Sequence, residues 1–165
     1  MKYIFLITAI LLAIITTGCF ESDHKIKTGY NTKASPDDST IQQILKWKVI
    51  TSFINRNDSS MATLYGNDIA VTYARTHIDS TYPAAAELAL ITWKQQNDEH
   101  WYGASIPATM LTAELVKFNT SANGTALPVY EKYLPKENTL SSEKTNTGVQ
   151  TRMHFIITQH ASLMP

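Results

Sequence analysis

Lys46-Trp47-Lys48-Val49-Ile50-Thr51-Ser52-Phe53-Ile54, the turn cluster Asn55-Arg56-Asn57-Asp58-Ser59 and the run Ser60-Met61-Ala62-Thr63-Leu64-Tyr65 decide the fold. In the first segment Trp47, Val49, Thr51 and Phe53 alternate with Lys48, Ile50, Ser52 and Ile54, a period of two rich in β-branched and aromatic residues that predicts a strand. The polar cluster supplies a turn and Ser60 to Tyr65 a second strand, so a hairpin is the shortest connection and the sheet starts antiparallel.

Downstream, Gly66-Asn67-Asp68 breaks the strand. Asn67 or Asp68 caps a short helix from Ile69 to about Thr76, with Ile69, Ala70, Tyr73 and Ala74 at helical spacing. Tyr82-Pro83 ends the connection, because the residue before proline is pushed out of the helical region. Ala86 to Trp93 alternates as a third strand, Lys94 to Glu99 reads as a polar loop, and Leu111 to Phe118 alternates again. Asn119 to Leu127 is turn-like, Val129 to Leu134 is a short strand or irregular, and 135–148 reads as polar and mobile. Val149, Met153, Ile156, Ile157, His160 and Met164 then recur at three and four residues, the mark of an amphipathic helix capped by Asn146 or Thr147. The expected class is α+β: a mainly antiparallel sheet with a short middle helix and an amphipathic C-terminal helix over 46–165.

Upstream, Lys2 precedes the apolar run Tyr3 to Ile15 and then Thr16-Thr17-Gly18-Cys19. An apolar core this short, ending in small residues, reads as an export signal rather than a membrane span. Cys19 directly after the small-residue site resembles the bacterial lipoprotein signal, in which 1–18 is removed and the cysteine is lipidated. The alternative is an ordinary secretory signal with an incidental cysteine. Phe20 rather than Asp after Cys19 favours the outer membrane where a cell has two. Residues 19–45 lack apolar periodicity and read as a flexible tether, with His24 a surface residue in it.

Composition narrows the function. The 165 residues carry 14 basic and 14 acidic side chains and no basic stripe, which excludes a phosphate-backbone binder, so no nucleic-acid partner is expected. With one Cys there is no internal disulfide and no CxxC zinc site. No nucleophile elbow or phosphate-cradling glycine loop occurs, and no catalytic residue is assigned.

The succession Trp47-Lys48-Val49-Ile50, Leu64-Tyr65-Gly66-Asn67-Asp68-Ile69-Ala70 with Ala74-Arg75, Tyr82-Pro83, a strand ending Thr92-Trp93-Lys94, Ile106-Pro107 and Ala113-Glu114-Leu115 resembles the cytochrome P-460 family over under half of the chain. The resemblance implies an exported antiparallel β domain with packed helices, often a homodimer. Haem-carrying members hold a c-type haem through a C-terminal CxxCH and act on hydroxylamine or related small nitrogen compounds. Here no cysteine follows Cys19, so thioether attachment is absent. The lysine that catalytic members link to the porphyrin aligns with Leu90. Lys94, four strand residues on, lies roughly 13 Å away. The resemblance therefore implies a member without covalent haem.

A non-covalent haem would need an axial side chain, for which His160, on the apolar face of the expected last helix, and His100 are the candidates. The alternative for His160 is a core histidine hydrogen-bonded to backbone. His154 and His160, six apart, do not share a helical face, and no metal site is assigned. His100-Trp101-Tyr102 beside Asp98-Glu99 is the densest local set of polar and aromatic side chains, read as aromatic packing at a sheet edge with solvated acids, the alternative being a carboxylate–imidazole pair for acid–base work. Glu87 and Glu114 point either inward as pocket acids or outward to solvent. Leu90 and Trp93 are expected to line a pocket with the last helix. The expectation is thus a lipid-anchored module on the periplasmic face of the envelope, an outer-membrane lipoprotein that binds a small ligand or serves a structural role and is not primarily an enzyme. The alternative is a non-covalent haem protein or small-nitrogen oxidoreductase.

Overall fold

The computed structural model describes residues 31–77, 81–135, 139–142 and 147–162. The signal segment, Cys19, His24, Asn146 and Met164 lie outside the described residues. Six strands form one sheet in chain order, each antiparallel to the next: β1 Lys48–Asn55, β2 Ser60–Gly66, β3 Glu87–Asn97, β4 Ser105–Thr120, β5 Ala126–Leu134 and β6 Thr139–Ser142. Three helices accompany them, α1 Ser39–Ile44, α2 Asp68–Thr76 and α3 Thr147–Ile157. The fold is α+β and mainly antiparallel β, with the middle and C-terminal helices in the expected places.

Each face of the sheet carries its own core. On one, α2 and α3 cover Leu64, Leu88, Leu90, Val116, Phe118 and Tyr130, with Val149, Met153 and Ile156 of α3 at positions i, i+4 and i+7. On the other, Ile41 and Ile44 of α1 pack against Ala89, Ile91, Trp93, Met110, Leu115 and Tyr133. Burial on both sides explains why Leu88 to Ile91 is an unbroken buried run rather than an alternation.

Five expectations about the elements are corrected. The tether reading fails over its second half: Asn31 begins the compact unit, and Ile41 is fully buried with Ile44 2% exposed. Asp38 starts α1 by accepting from the Thr40 and Ile41 amides at 2.8 and 3.0 Å. The loop placed at Lys94 to Glu99 is mostly strand, since Gln95, Gln96 and Asn97 pair with Pro107, Ile106 and Ser105. The stretch 119–127 contains the end of β4 and the start of β5, and β6 falls inside the polar segment 135–148. The last helix stops at Ile157, well short of Met164: the Thr158 and Gln159 side chains bond back to the His154 and Phe155 carbonyls, and the Ser162 amide reaches the Ile50 carbonyl at 2.9 Å.

That carbonyl belongs to a β-bulge. Val49 pairs with Tyr65 and Thr51 with Leu64, so Ile50 is an extra residue and every later side chain of β1 changes face. Ile50 and Phe53 therefore both reach the α2/α3 core, which strict alternation forbids. Where β2 meets α2, Gly66 leaves no space: a Cβ there would sit 2.8 Å from Ile50 Cδ1 and 3.1 Å from Ala70 Cβ. Asn67 caps α2 through the Ala70 amide at 2.9 Å, and its amide group donates to the Ala85 carbonyl.

Candidate functional site

β4 is the longest strand, and its neighbour β5 pairs with it only from Ala113 onward. The stretch 105–112 thus has a free edge, which also explains why Pro107 is tolerated inside a strand. The segment before α1 covers this edge. Asn31 donates to the Pro107 carbonyl at 2.6 Å, and Lys33 Nζ donates to Gln96 Oε1 at 3.1 Å. Between this strap and the sheet lies a cavity of about 280 Å³ lined by Lys33, Ser35, Pro36, Asp37, Asp38, Trp93, Thr109, Met110, Tyr133 and Pro135. The space corresponds to about nine waters.

Its inner wall is rigid and apolar. Trp93 from β3, Met110 from β4 and Tyr133 from β5 are 4%, 7% and 5% exposed. Burial, then the Asp38 carboxylate, push the Tyr133 phenol above its ordinary range, so it stays neutral. The rim is polar. Asp38 is held by the α1 amides, Gln42 of α1 donates to the Pro36 carbonyl, and Ser35 donates to the Asn31 carbonyl. Two carboxylates face one ammonium, which already serves Gln96. An aromatic wall under a carboxylate-rich rim suits a small cation with an apolar body. The lining contains no imidazole and no thiol; its polar groups are Lys33, Ser35, Asp37, Asp38, Thr109 and the Tyr133 phenol.

Of the residues picked from sequence, Trp93 lines this cavity and Leu90 does not. Three strand positions apart, they project to opposite faces: Leu90 is buried beneath α2 and α3, Trp93 beneath α1 and the strap. Among the described residues, neither the cavity at Trp93 nor the hollow on α2 joins them with the last helix. His160 follows the end of α3 and is exposed, neither on an apolar helix face nor in the core. His100 sits in the loop after β3, its side chain 65% exposed and its Nδ1 3.4 Å from Asp98. Neither imidazole lines the cavity at Trp93 or the shallow apolar hollow on α2 formed by Ile69, Thr72, Tyr73, His77 and Pro83. These two side chains do not fit an axial ligand in an enclosed haem slot.

Glu114 resolves the choice left by its strand position: it points inward at 3% exposure, on the face under α3. Arg152 of α3 grips both its oxygens, Nε to Oε1 at 2.9 Å and Nη2 to Oε2 at 2.5 Å, and the Tyr130 hydroxyl donates at 2.6 Å. Burial alone would raise this carboxyl. The hydrogen bonds from Arg152 and Tyr130 and the charges of Arg152 and Lys132 outweigh burial and hold it below its ordinary value. Arg152 also stacks over Phe155, 5.2 Å from the ring centre. The sequence signal was present: an acid on the Val116-Phe118 side of a strand needs a cation, and Arg152 is the arginine of the helix expected above it. No His, Cys, Asp and Glu cluster able to hold a metal occurs among the described residues.

The sequence matches no protein-family model and no curated protein.

Proposed function

We propose that this chain is a lipid-anchored envelope domain of cytochrome P-460 type, without covalent haem, that binds a small ligand on the α1 face of its sheet. Acylation at Cys19 would hold it on the periplasmic side, at the outer membrane where there are two. The ligand is a small amine or ammonium compound with an apolar body. The observation that carries the binding reading is the cavity of about 280 Å³ that sets Trp93, Met110 and Tyr133 beneath Asp37 and Asp38.

Benzylamine, benzyl alcohol and benzoate share one body and differ in charge, so they separate these claims. With Trp93 forming a wall of the cavity, binding should change tryptophan emission, in the order amine above alcohol above benzoate. Asp37→Asn, at an exposed position, should remove the preference for the amine without unfolding the protein. No response to any of the three compounds would sink the binding reading. An order unchanged by Asp37→Asn would sink the ligand class.

A further inference from the structure

The β3–β4 hairpin outruns its neighbours. β2 pairs with β3 only as far as Lys94, and β5 leaves β4 at Ala113, so from the Gln95–Pro107 pair outward the hairpin runs on as a two-stranded ribbon. Its loop is ordered: the Asp98 amide bonds the Ala104 carbonyl at 3.0 Å, the Ala104 amide bonds the Trp101 carbonyl at 3.1 Å, and Asp98 Oδ1 accepts the His100 amide at 2.8 Å. Gly103, with φ of 78°, makes the turn that closes it. At the tip stand Trp101, 73% exposed, and Tyr102, 109% exposed. Two adjacent amphipathic rings on a held loop, open to solvent, are not the edge packing expected from sequence.

The strap gives this tip a direction. Asn31, where the described chain enters the domain, is hydrogen-bonded to Pro107, and Lys33 to Gln96, both in the projecting ribbon. Pro107 pairs with Gln95. From there to Trp101 is six residues, at most about 20 Å of strand. The twelve peptide links from Cys19 to Asn31 reach at most about 43 Å fully extended. That reach exceeds the distance from Pro107 to the tip, so an acylated Cys19 and the Trp101–Tyr102 tip can meet one membrane surface.

We infer that the Trp101-Tyr102 tip is a second membrane contact, resting in the interfacial zone of the bilayer to which Cys19 is anchored. This rests on the lipid-anchor reading above. Indole and phenol rings place an apolar body among acyl chains and a polar group among headgroups. A projecting tip suits insertion into a surface. The loop 98–104 contains Asp98 and Glu99 and no Lys or Arg, so its surface is a zwitterionic one rather than an anionic one.

The test uses the full chain, expressed with radiolabelled palmitate and reconstituted into phosphatidylcholine vesicles brominated on the acyl chains. Bromine quenches only indoles that enter the bilayer. Trp93 is buried in the domain, and the signal of Trp101 is isolated by difference from Trp101→Phe. The expected result is label on the protein, quenching of wild-type emission and loss of that quenching in Trp101→Phe. Label and vesicle binding without quenching would overturn the tip contact and leave the anchor standing; a tip reserved for a protein partner would behave this way. Absence of label would overturn the anchor and, with it, this inference.

Discussion

Removing the arginine from the Arg152–Glu114 pair should reverse the contribution of Glu114 to the pH dependence of stability. In the wild type the Glu114 carboxyl lies below its ordinary value of 4.5. The unfolded chain therefore takes up the proton first as pH falls. The contribution is complete above about 4.5 and is lost as pH drops through the folded value. In Arg152→Met the carboxyl stays at 3% exposure but loses two hydrogen bonds and the nearest positive charge. Burial, the largest influence on this group, is then opposed only by Tyr130 and Lys132, and the folded value rises above that of the unfolded chain. Stability should now fall as pH rises from about 4.5 towards the new folded value. Breaking a buried pair by removing one partner costs about 3–5 kcal/mol. The Arg152 side chain is 47% exposed, so water partly replaces it and the expected loss at pH 7 is nearer 2–3 kcal/mol. Replacing both partners, Glu114→Leu with Arg152→Met, should return stability to within about 1 kcal/mol of the wild type. Urea unfolding at pH 4, 5, 6 and 7 measures all three proteins. The reasoning fails if Arg152→Met loses less than about 0.5 kcal/mol at pH 7, or if its loss relative to the wild type does not grow between pH 4 and pH 7.

Two further substitutions probe regions where local sequence and packing disagree. Ile41→Ala should cost about 2–4 kcal/mol in urea unfolding, because Ile41 is fully buried against the sheet; an unchanged midpoint would restore the tether reading of 31–45. Gly66→Ala should cost about 1–3 kcal/mol through overpacking against Ile50 Cδ1. Adding Ile50→Val, which deletes that atom, should recover part of the loss, and strictly additive effects would show that the two side chains do not collide.

The elements that sequence predicted well are those whose pattern is local. The hairpin of β1 and β2, the Asn67 cap of α2 and the apolar spacing of α3 each follow from neighbouring residues, and each is present. Misreadings arise where the cause lies far along the chain. Lys94 to Asn97 is polar, yet it is strand because Ser60 pairs with Lys94 and Ser105 to Pro107 pair with Gln95 to Asn97. Residues 39–44 are too short for a clear helical period, yet they fold because the second face of the sheet would otherwise stand bare. His160 keeps its helical spacing from Ile156 and Ile157, but the bulge at Ile50 offers a carbonyl that draws Ser162 to β1 and takes the chain out of the helix.

The same distinction governs where a ligand should be sought. Leu90 and Trp93 are three residues apart in a straight strand, and an odd spacing sends them to opposite faces whatever the family likeness implies. The Leu90 face is closed by α2 and α3 and locked by Arg152 on Glu114, whereas among the described residues the Trp93 face is covered by a six-residue helix, Leu45, Trp47 and the strap. Because the strap is bonded to the β3–β4 ribbon at Gln96 and Pro107, the segment that lines the cavity is joined to the base of the aromatic tip by two hydrogen bonds, one of them from the lining residue Lys33. If both proposals hold, seating the tip in a bilayer and filling the Trp93 cavity act on one short segment, and each should alter the other's affinity by the same factor.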